Sequence, residues 1–254
     1  MLVAQASEEL ALSLLHIDDK SCHREIRLLR PSSDHERLRR GVSAVTALPS
    51  ICPSLSFISA GYDHVVHLWS FDRTTILEQP PTPEALSIHH SSLVQSLLSA
   101  ENRLISGAAD NSIRIWDLQA GRMLSTIRTS NSVYQLHRTD NSNIVLAEVR
   151  VTQQHLGLRS CTRFSFPLQV AHRDLQFELH DYRLPLNGRP PLRFGYHSTQ
   201  GLHGRYSRGT VDPSAWRTFV SGGRDGSIRL WDLRSVQQCE QEVCVYRSMT
   251  SACF

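Results

Sequence analysis

Ser106, His90 and Asp110 are, by residue type, the nucleophile, base and orienting carboxylate of a hydrolase triad. No nucleophile turn of the Gly-x-Ser-x-Gly type accompanies them, because Ser106 stands between Ile105 and Gly107. Lys20-Ser21 follows Ile17-Asp18-Asp19 rather than the glycines a phosphate cradle needs. The six cysteines show no two-residue pairing, and neither Cys22-His23 nor Cys239 with Cys244 has a second matched pair to close a metal site. Reduced thiols are expected. The basic run His35 to Arg40 could touch phosphates, but such runs are commonly solvated loops, so nucleic acid is disfavoured. No catalytic, metal or cofactor site is expected, and the chain is not read as an enzyme.

The elements that carry Ser106 and Asp110 recur along the chain. Three segments align without gaps: FISAGYDHVVHLWSFD ending at Asp72, LISGAADNSIRIWDLQ ending at Gln119, and FVSGGRDGSIRLWDLR ending at Arg234. In each, a serine lies ten residues before a tryptophan (Ser59 and Trp69, Ser106 and Trp116, Ser221 and Trp231), and an aspartate lies six before it (Asp63, Asp110, Asp225). Each unit starts with an apolar run, passes a turn of small residues and aspartate, and resumes with alternation such as Ile113 and Ile115 or Ile228 and Leu230. That pattern describes a β-hairpin with period-two burial. Gly222-Gly223 and Asp225-Gly226 offer the positive φ a tight turn requires. VAHRDLQFELHDYR is a degenerate fourth copy, with Asp174 six residues before His180 in the tryptophan position and Val170 for the serine.

These segments resemble the WD-repeat family from about residue 34 to 247. The resemblance implies an all-β WD-repeat β-propeller with blades of four antiparallel strands. It also implies a buried network of tryptophan, serine, aspartate and histidine in each blade. The matching sets are Trp116, Ser106, Asp110 and His90, then Trp231, Ser221, Asp225 and His203. Trp69, Ser59 and Asp63 form a third, with His35 the matching histidine across a long loop. The triad types thereby acquire a structural role.

Read this way, residues 1–254 form one propeller domain: a partial blade over 1–33, blades over 34–80 and 81–129, a degenerate blade over 130–195, a blade over 196–247, and a first strand over 248–254. LVAQASEELALSLLHID reads as second and third strands, and CHREIRLLR as a fourth. Either the two ends complete one blade, giving about five, or the chain is part of a larger ring. Family members usually have seven blades, which favours an incomplete ring. QPPTPEALS from Gln79 is expected to be a stiff connector, and the loop from Asn187 to Gly209 an elongated inter-blade link that could hold a partner.

The resemblance also indicates faces. The residue before the turn aspartate often points onto the upper face, which selects Tyr62, Ala109, Arg173 and Arg224; tyrosine and arginine are enriched at interface hot spots, so Tyr62, Arg173 and Arg224 are the candidates. FVSGGRDGSIRLWDLR is similar to the box by which WD-repeat substrate receptors dock on a cullin-RING ubiquitin ligase adaptor, implying a contact role for Arg234. His180-Asp181-Tyr182-Arg183 is an imperfect second copy that nominates Arg183. The function implied is a non-catalytic protein-protein interaction scaffold; the alternatives are a ligase substrate receptor and a chromatin- or RNA-associated adaptor.

Composition agrees with such a partner-holding protein. Hydrophobic residues make up 40% of 254, enough for a sizeable core, and the net charge is only +3. Lys20 is the sole lysine beside many arginines, a bias that codon usage explains as well as the multidentate hydrogen bonding of arginine at interfaces does. Ala11 to Leu15 follows Glu8 and Glu9 without a preceding basic residue, unlike a secretory signal, and no apolar run approaches a membrane span. A cytoplasmic or nuclear location, with protein partners and no membrane, is expected.

Overall fold

A computed structural model describes residues 2–6, 12–17, 23–29, 35, 39, 41–48, 55–71, 82–149, 176–183, 191–195, 209–222 and 228–235. The described strands form antiparallel sheets that follow one another along the chain. The first contains β1 (Leu2–Ala6), β2 (Leu12–Ile17) and β3 (His23–Leu29). The second contains β4 (Val42–Ala47), β5 (Leu55–Gly61), β6 (Val65–Phe71) and β7 (Glu84–His89), and the third β8 (Val94–Ala100), β9 (Arg103–Ala108), β10 (Ser112–Asp117) and β11 (Arg122–Arg128). The fourth is built from β12 (Val133–Arg138), β13 (Ile144–Val149), β14 (Phe177–Asp181) and β15 (Leu192–Phe194), the fifth from β16 (Gly209–Val211), β17 (Thr218–Gly222) and β18 (Ile228–Asp232). In every sheet neighbours in sequence are neighbours in space, the arrangement of propeller blades. The chain divides into two compact units, Met1–Leu136 and His137–Phe254.

Period-two alternation turns one set of side chains of each strand toward an adjoining sheet. In the first unit, Ile58, Ala60 and Val66 of the second sheet pack with Val94, Leu97, Leu104 and Trp116 of the third. Leu12 of β2 closes a smaller cluster with Val42, Phe57 and Trp69, in which the Phe57 and Trp69 rings stack at 5.7 Å. In the second unit Leu146, Phe177 and Phe194 pack with Val211, Phe219 and Trp231. There Phe177 meets Phe219 edge to face at 4.9 Å, a geometry aromatic quadrupoles favour.

The turn between the second and third strands depends on a left-handed residue after the aspartate. His64 (φ 65°) and Asn111 (φ 58°) occupy it in two repeats, where the third has Gly226, outside the described residues. Asparagine tolerates this region well and histidine less so. Each of the two described turns is held by its aspartate, which accepts from the backbone N–H two residues on: Val65 to Asp63 at 3.2 Å, Ser112 to Asp110 at 3.1 Å. The expected connector from Gln79 behaves differently in its second half, since Glu84-Ala85-Leu86-Ser87 opens β7, which pairs with β6. Pro81 and Pro83 precede the strand instead of interrupting it, so no ladder donor is lost.

The terminal strand expected over 248–254 lies outside the described residues, as do the links over 150–175 and from 236 onward. Among the described residues nothing pairs with the outer edge of β18, where Ile228 and Leu230 are exposed. Among them also, no helix is long and apolar enough to cross a membrane, and no group of three or more His, Cys, Asp or Glu could hold a metal ion.

Candidate functional site

The third sheet brings Ser106, His90 and Asp110 into one relay. Ser106 sits on β9, Asp110 in the turn after it, and His90 directly follows β7. His90 Nδ1 lies 3.1 Å from Asp110 Oδ2, and His90 Nε2 lies 2.8 Å from Ser106 Oγ. A carboxylate can only accept, so Nδ1 carries the proton and Nε2 accepts from the Ser106 hydroxyl. This is the hydrogen-bond order of a catalytic triad. Its burial opposes that use: Ser106 is 0% exposed, leaving no room for a carbonyl at its oxygen. Asp110 is further held by Ser112 Oγ at 2.5 Å and by the Ser91 N–H at 3.0 Å.

The electrostatics follow from that burial. Desolvation outweighs the attraction of Asp110 and keeps the His90 pKa below the usual histidine value. Desolvation also works against the Asp110 charge, but hydrogen bonds from Ser112, Ser91 and His90 outweigh it and hold the carboxyl below its ordinary range. A depressed histidine pKa means that the unfolded chain binds the proton first, so acid favours unfolding. Stability contributed by neutral His90 is therefore full above about pH 6.5 and falls as the pH drops from there to the folded-state pKa. The Asp110 contribution has the same sign and is lost further down, as the pH falls through its depressed pKa. Urea unfolding at a series of pH values should show a smaller acid loss between about pH 6.5 and 5 in His90→Asn than in wild type. Parallel profiles would contradict the assignment.

The three repeat tryptophans, Trp69, Trp116 and Trp231, lie on the third strand of their sheets, each with its serine on the second. Trp69 Nε1 donates to Ser59 Oγ at 2.8 Å, and Trp231 Nε1 to Ser221 Oγ at 2.9 Å. Trp116 differs from both: its Nε1 has no hydrogen-bond partner among the described residues, and the register of β10 against β11 shifts at this residue. In the second sheet the carboxylate of Asp63 turns to His67, whose Nε2 is 2.6 Å away. His35, the partner considered from sequence, is exposed. His203 and Asp225 lie outside the described residues.

The degenerate blade has a network of its own. His180, in the tryptophan position, places Nε2 2.8 Å from Glu178 Oε2, and Arg193 Nε donates to Glu178 Oε1 at 3.1 Å. Glu148 of β13 accepts from the Gly209 N–H at 2.9 Å and lies 2.7 Å from His137 Nε2. Gly209 admits no side chain, since a Cβ there would stand 2.1 Å from the Phe219 ring.

Exposed chemistry is found at the turns after the third strands. Following β18, Arg234 grips Asp232 with a two-pronged fork, Nε to Oδ1 at 2.9 Å and Nη2 to Oδ2 at 2.6 Å. Following β14, Arg183 repeats it on Asp181 at 3.0 and 2.6 Å. The hydrogen bonds from Arg234 pull the Asp232 carboxyl down to about 2, and those from Arg183 lower Asp181 likewise. The two arginine side chains remain 63% and 57% exposed. Each guanidinium is thus oriented by its own turn while presenting its remaining N–H groups outward. Tyr62 is half-buried in the first unit, with its N–H on Gly41 O at 2.9 Å. Arg173 and Arg224, the other upper-face candidates, lie outside the described residues.

Comparison with known proteins is consistent with this geometry. Residues 83–117 and 209–232 match the family model "WD domain, G-beta repeat". The chain is 25% identical over 136 residues to "Eukaryotic translation initiation factor 3 subunit I" of Drosophila melanogaster, over 54% of this chain and 36% of that protein. It is 28% identical over 123 residues to "Mitochondrial division protein 1" of Schizosaccharomyces pombe, over 42% and 18%. The chain therefore spans little more than a third of the initiation-factor relatives' length. Among solved structures, the WD40 β-propeller domain of Doa1 is similar with a TM-score of 0.58 at 17% identity, covering 93% of this chain and 62% of that one. The chain has WD repeats and the all-β fold of a WD-repeat propeller.

Proposed function

We propose that this WD-repeat chain is a non-catalytic scaffold that holds protein partners at the turns following its third strands. The observation that carries the reading is the pair of Asp-x-Arg turns, Asp181 with Arg183 and Asp232 with Arg234, in which one chemistry is built twice and left exposed. Ser106 and His90 are meanwhile buried, and the Asp110 carboxylate that completes the triad types is turned in to His90. Propellers host many functions on one fold, so the turns support the reading where the fold alone does not. Affinity purification with quantitative mass spectrometry tests it: an Arg183→Ala, Arg234→Ala double variant should lose partners that wild type captures. Identical partner sets would count against the reading.

A more specific reading, that the chain is a substrate receptor docking on a cullin-RING ligase adaptor, is favoured by the Trp231-Asp232-Leu233-Arg234 sequence and its oriented guanidinium. Truncating a desolvated interface arginine typically costs about 2 kcal/mol or more, which weakens binding roughly tenfold or beyond. Purified adaptor should bind wild type, bind Arg234→Ala at least that much more weakly, and recover little with Arg234→Lys, which lacks the planar fork. Equal affinity for wild type and Arg234→Ala would remove the ligase reading while leaving the scaffold.

A further inference from the structure

We infer that Arg138, Trp216 and Arg217 form a second binding surface on the C-terminal unit, shaped for a carboxylate-rich peptide of a partner protein. The inference rests on the scaffold reading and adds a site and a partner chemistry to it. Trp216 lies in the turn between β16 and β17 with φ 53°, a left-handed backbone unusual for so bulky a residue. The turn is held from several sides. Asp212 Oδ1 accepts from the Ser214 N–H at 2.9 Å and its hydroxyl at 2.7 Å, the Trp216 N–H reaches Asp212 O at 2.7 Å, and Trp216 O accepts from the Asp140 N–H at 3.1 Å. Strain that persists because its surroundings enforce it marks a preorganised position.

The conformation sets the indole against the core of the unit, where it packs on the aromatic cluster, while the Arg138 guanidinium lies 5.3 Å from the ring centroid. A cation stacked on a ring is oriented by the ring face without spending its N–H groups, and Arg138 is only half-buried where it does so. Beside it, exposed Arg217 uses Nε on Asp140 Oδ2 at 3.0 Å. A planar donor fork with unspent hydrogens fits a carboxylate bidentately. Carboxylates stand among these cations: Asp140 pairs with Arg217, Asp232 pairs with Arg234, and Asp212 lies in the same turn as Trp216. A continuous phosphate backbone would meet those carboxylates. Discrete acidic side chains can engage Arg138 and avoid them, which favours a peptide over nucleic acid.

Fluorescence anisotropy on the full chain tests this with three probes of equal length: a labelled peptide of Glu and Asp, its Gln and Asn counterpart, and an oligouridylate. Saturable binding of the acidic peptide alone is expected. Arg138→Ala and, separately, Arg217→Ala should weaken it, the first by roughly tenfold or more, and Arg138→Lys should restore only part. Arg122→Ala, an exposed arginine on β11, should leave it unchanged. Absence of saturable binding, equal binding by wild type and Arg138→Ala at matched melting temperature, or tighter binding of the oligouridylate would overturn the inference. Because Arg183 and Arg234 are untouched, affinity capture through their turns would survive that failure, separating it from failure of the scaffold reading.

Discussion

Replacing Trp231 with alanine is expected to destabilise the C-terminal unit by about 3 to 5 kcal/mol, the range for removing a large buried aromatic side chain. Trp231 is buried on β18 and meets Phe194 at 5.2 Å and Phe177 at 6.1 Å, both edge to face. Alanine would leave a cavity between the fourth and fifth sheets and strip Ser221 of its indole donor. Trp231→Phe keeps a ring and loses the N–H, so it should cost only about 1 to 3 kcal/mol. Urea unfolding followed by circular dichroism separates the two. If alanine costs no more than phenylalanine, the ring is not the main contributor and the packing account fails.

Glu148→Ala should cost a comparable amount, about 3 to 5 kcal/mol, because it removes one side of a buried polar pair and strands the other. Glu148 is 3% exposed, and its Oε1 serves both the Gly209 N–H and His137 Nε2. Without it the Gly209 donor loses its acceptor, and the His137 ring, tilted against Phe219 at 5.3 Å, loses its anchor. Glu148→Gln preserves an acceptor oxygen and should be milder. A double-mutant cycle with His137→Ala is expected to give less than additive losses, since both changes remove one contact. Full additivity in that cycle would mean that the 2.7 Å contact carries no coupling.

Several of these features could be read from residue spacing. The ten-residue interval from serine to tryptophan spans a hairpin, so it sets Trp69 opposite Phe57 and brings its indole to Ser59. The Asp-x-Arg forks are local, two residues apart, and so are visible in sequence. Other partners were less accessible. Asp63 found His67 four residues on, across its own turn, where the repeat rule directed attention backward to His35. Glu178 was within reach of the period-two rule, as it shares a face with His180. Glu148 was not, because its bond to Gly209 joins two sheets across 61 residues with no local signature. The left-handed Trp216 has none either, since the bonds within its own turn are joined by one from the distant Asp140 N–H. Trp116 shows the limit from the other side: its spacing matches its counterparts, yet its indole N–H is left unpaired among the described residues where β10 shifts register.

The central claim, that partners are held at the Asp-x-Arg turns while Ser106, His90 and Asp110 serve the fold, is tested most directly by amide hydrogen exchange on the chain alone and with a partner obtained by affinity purification. The Arg183 and Arg234 amides bond to the carboxylates of their own exposed turns and should exchange quickly in the free chain. Slowed exchange at Tyr182-Arg183 and Leu233-Arg234-Ser235 in the complex, with the β9 amides around Ser106 unchanged, is the predicted result. Unchanged exchange at both turns in a saturated complex would contradict it.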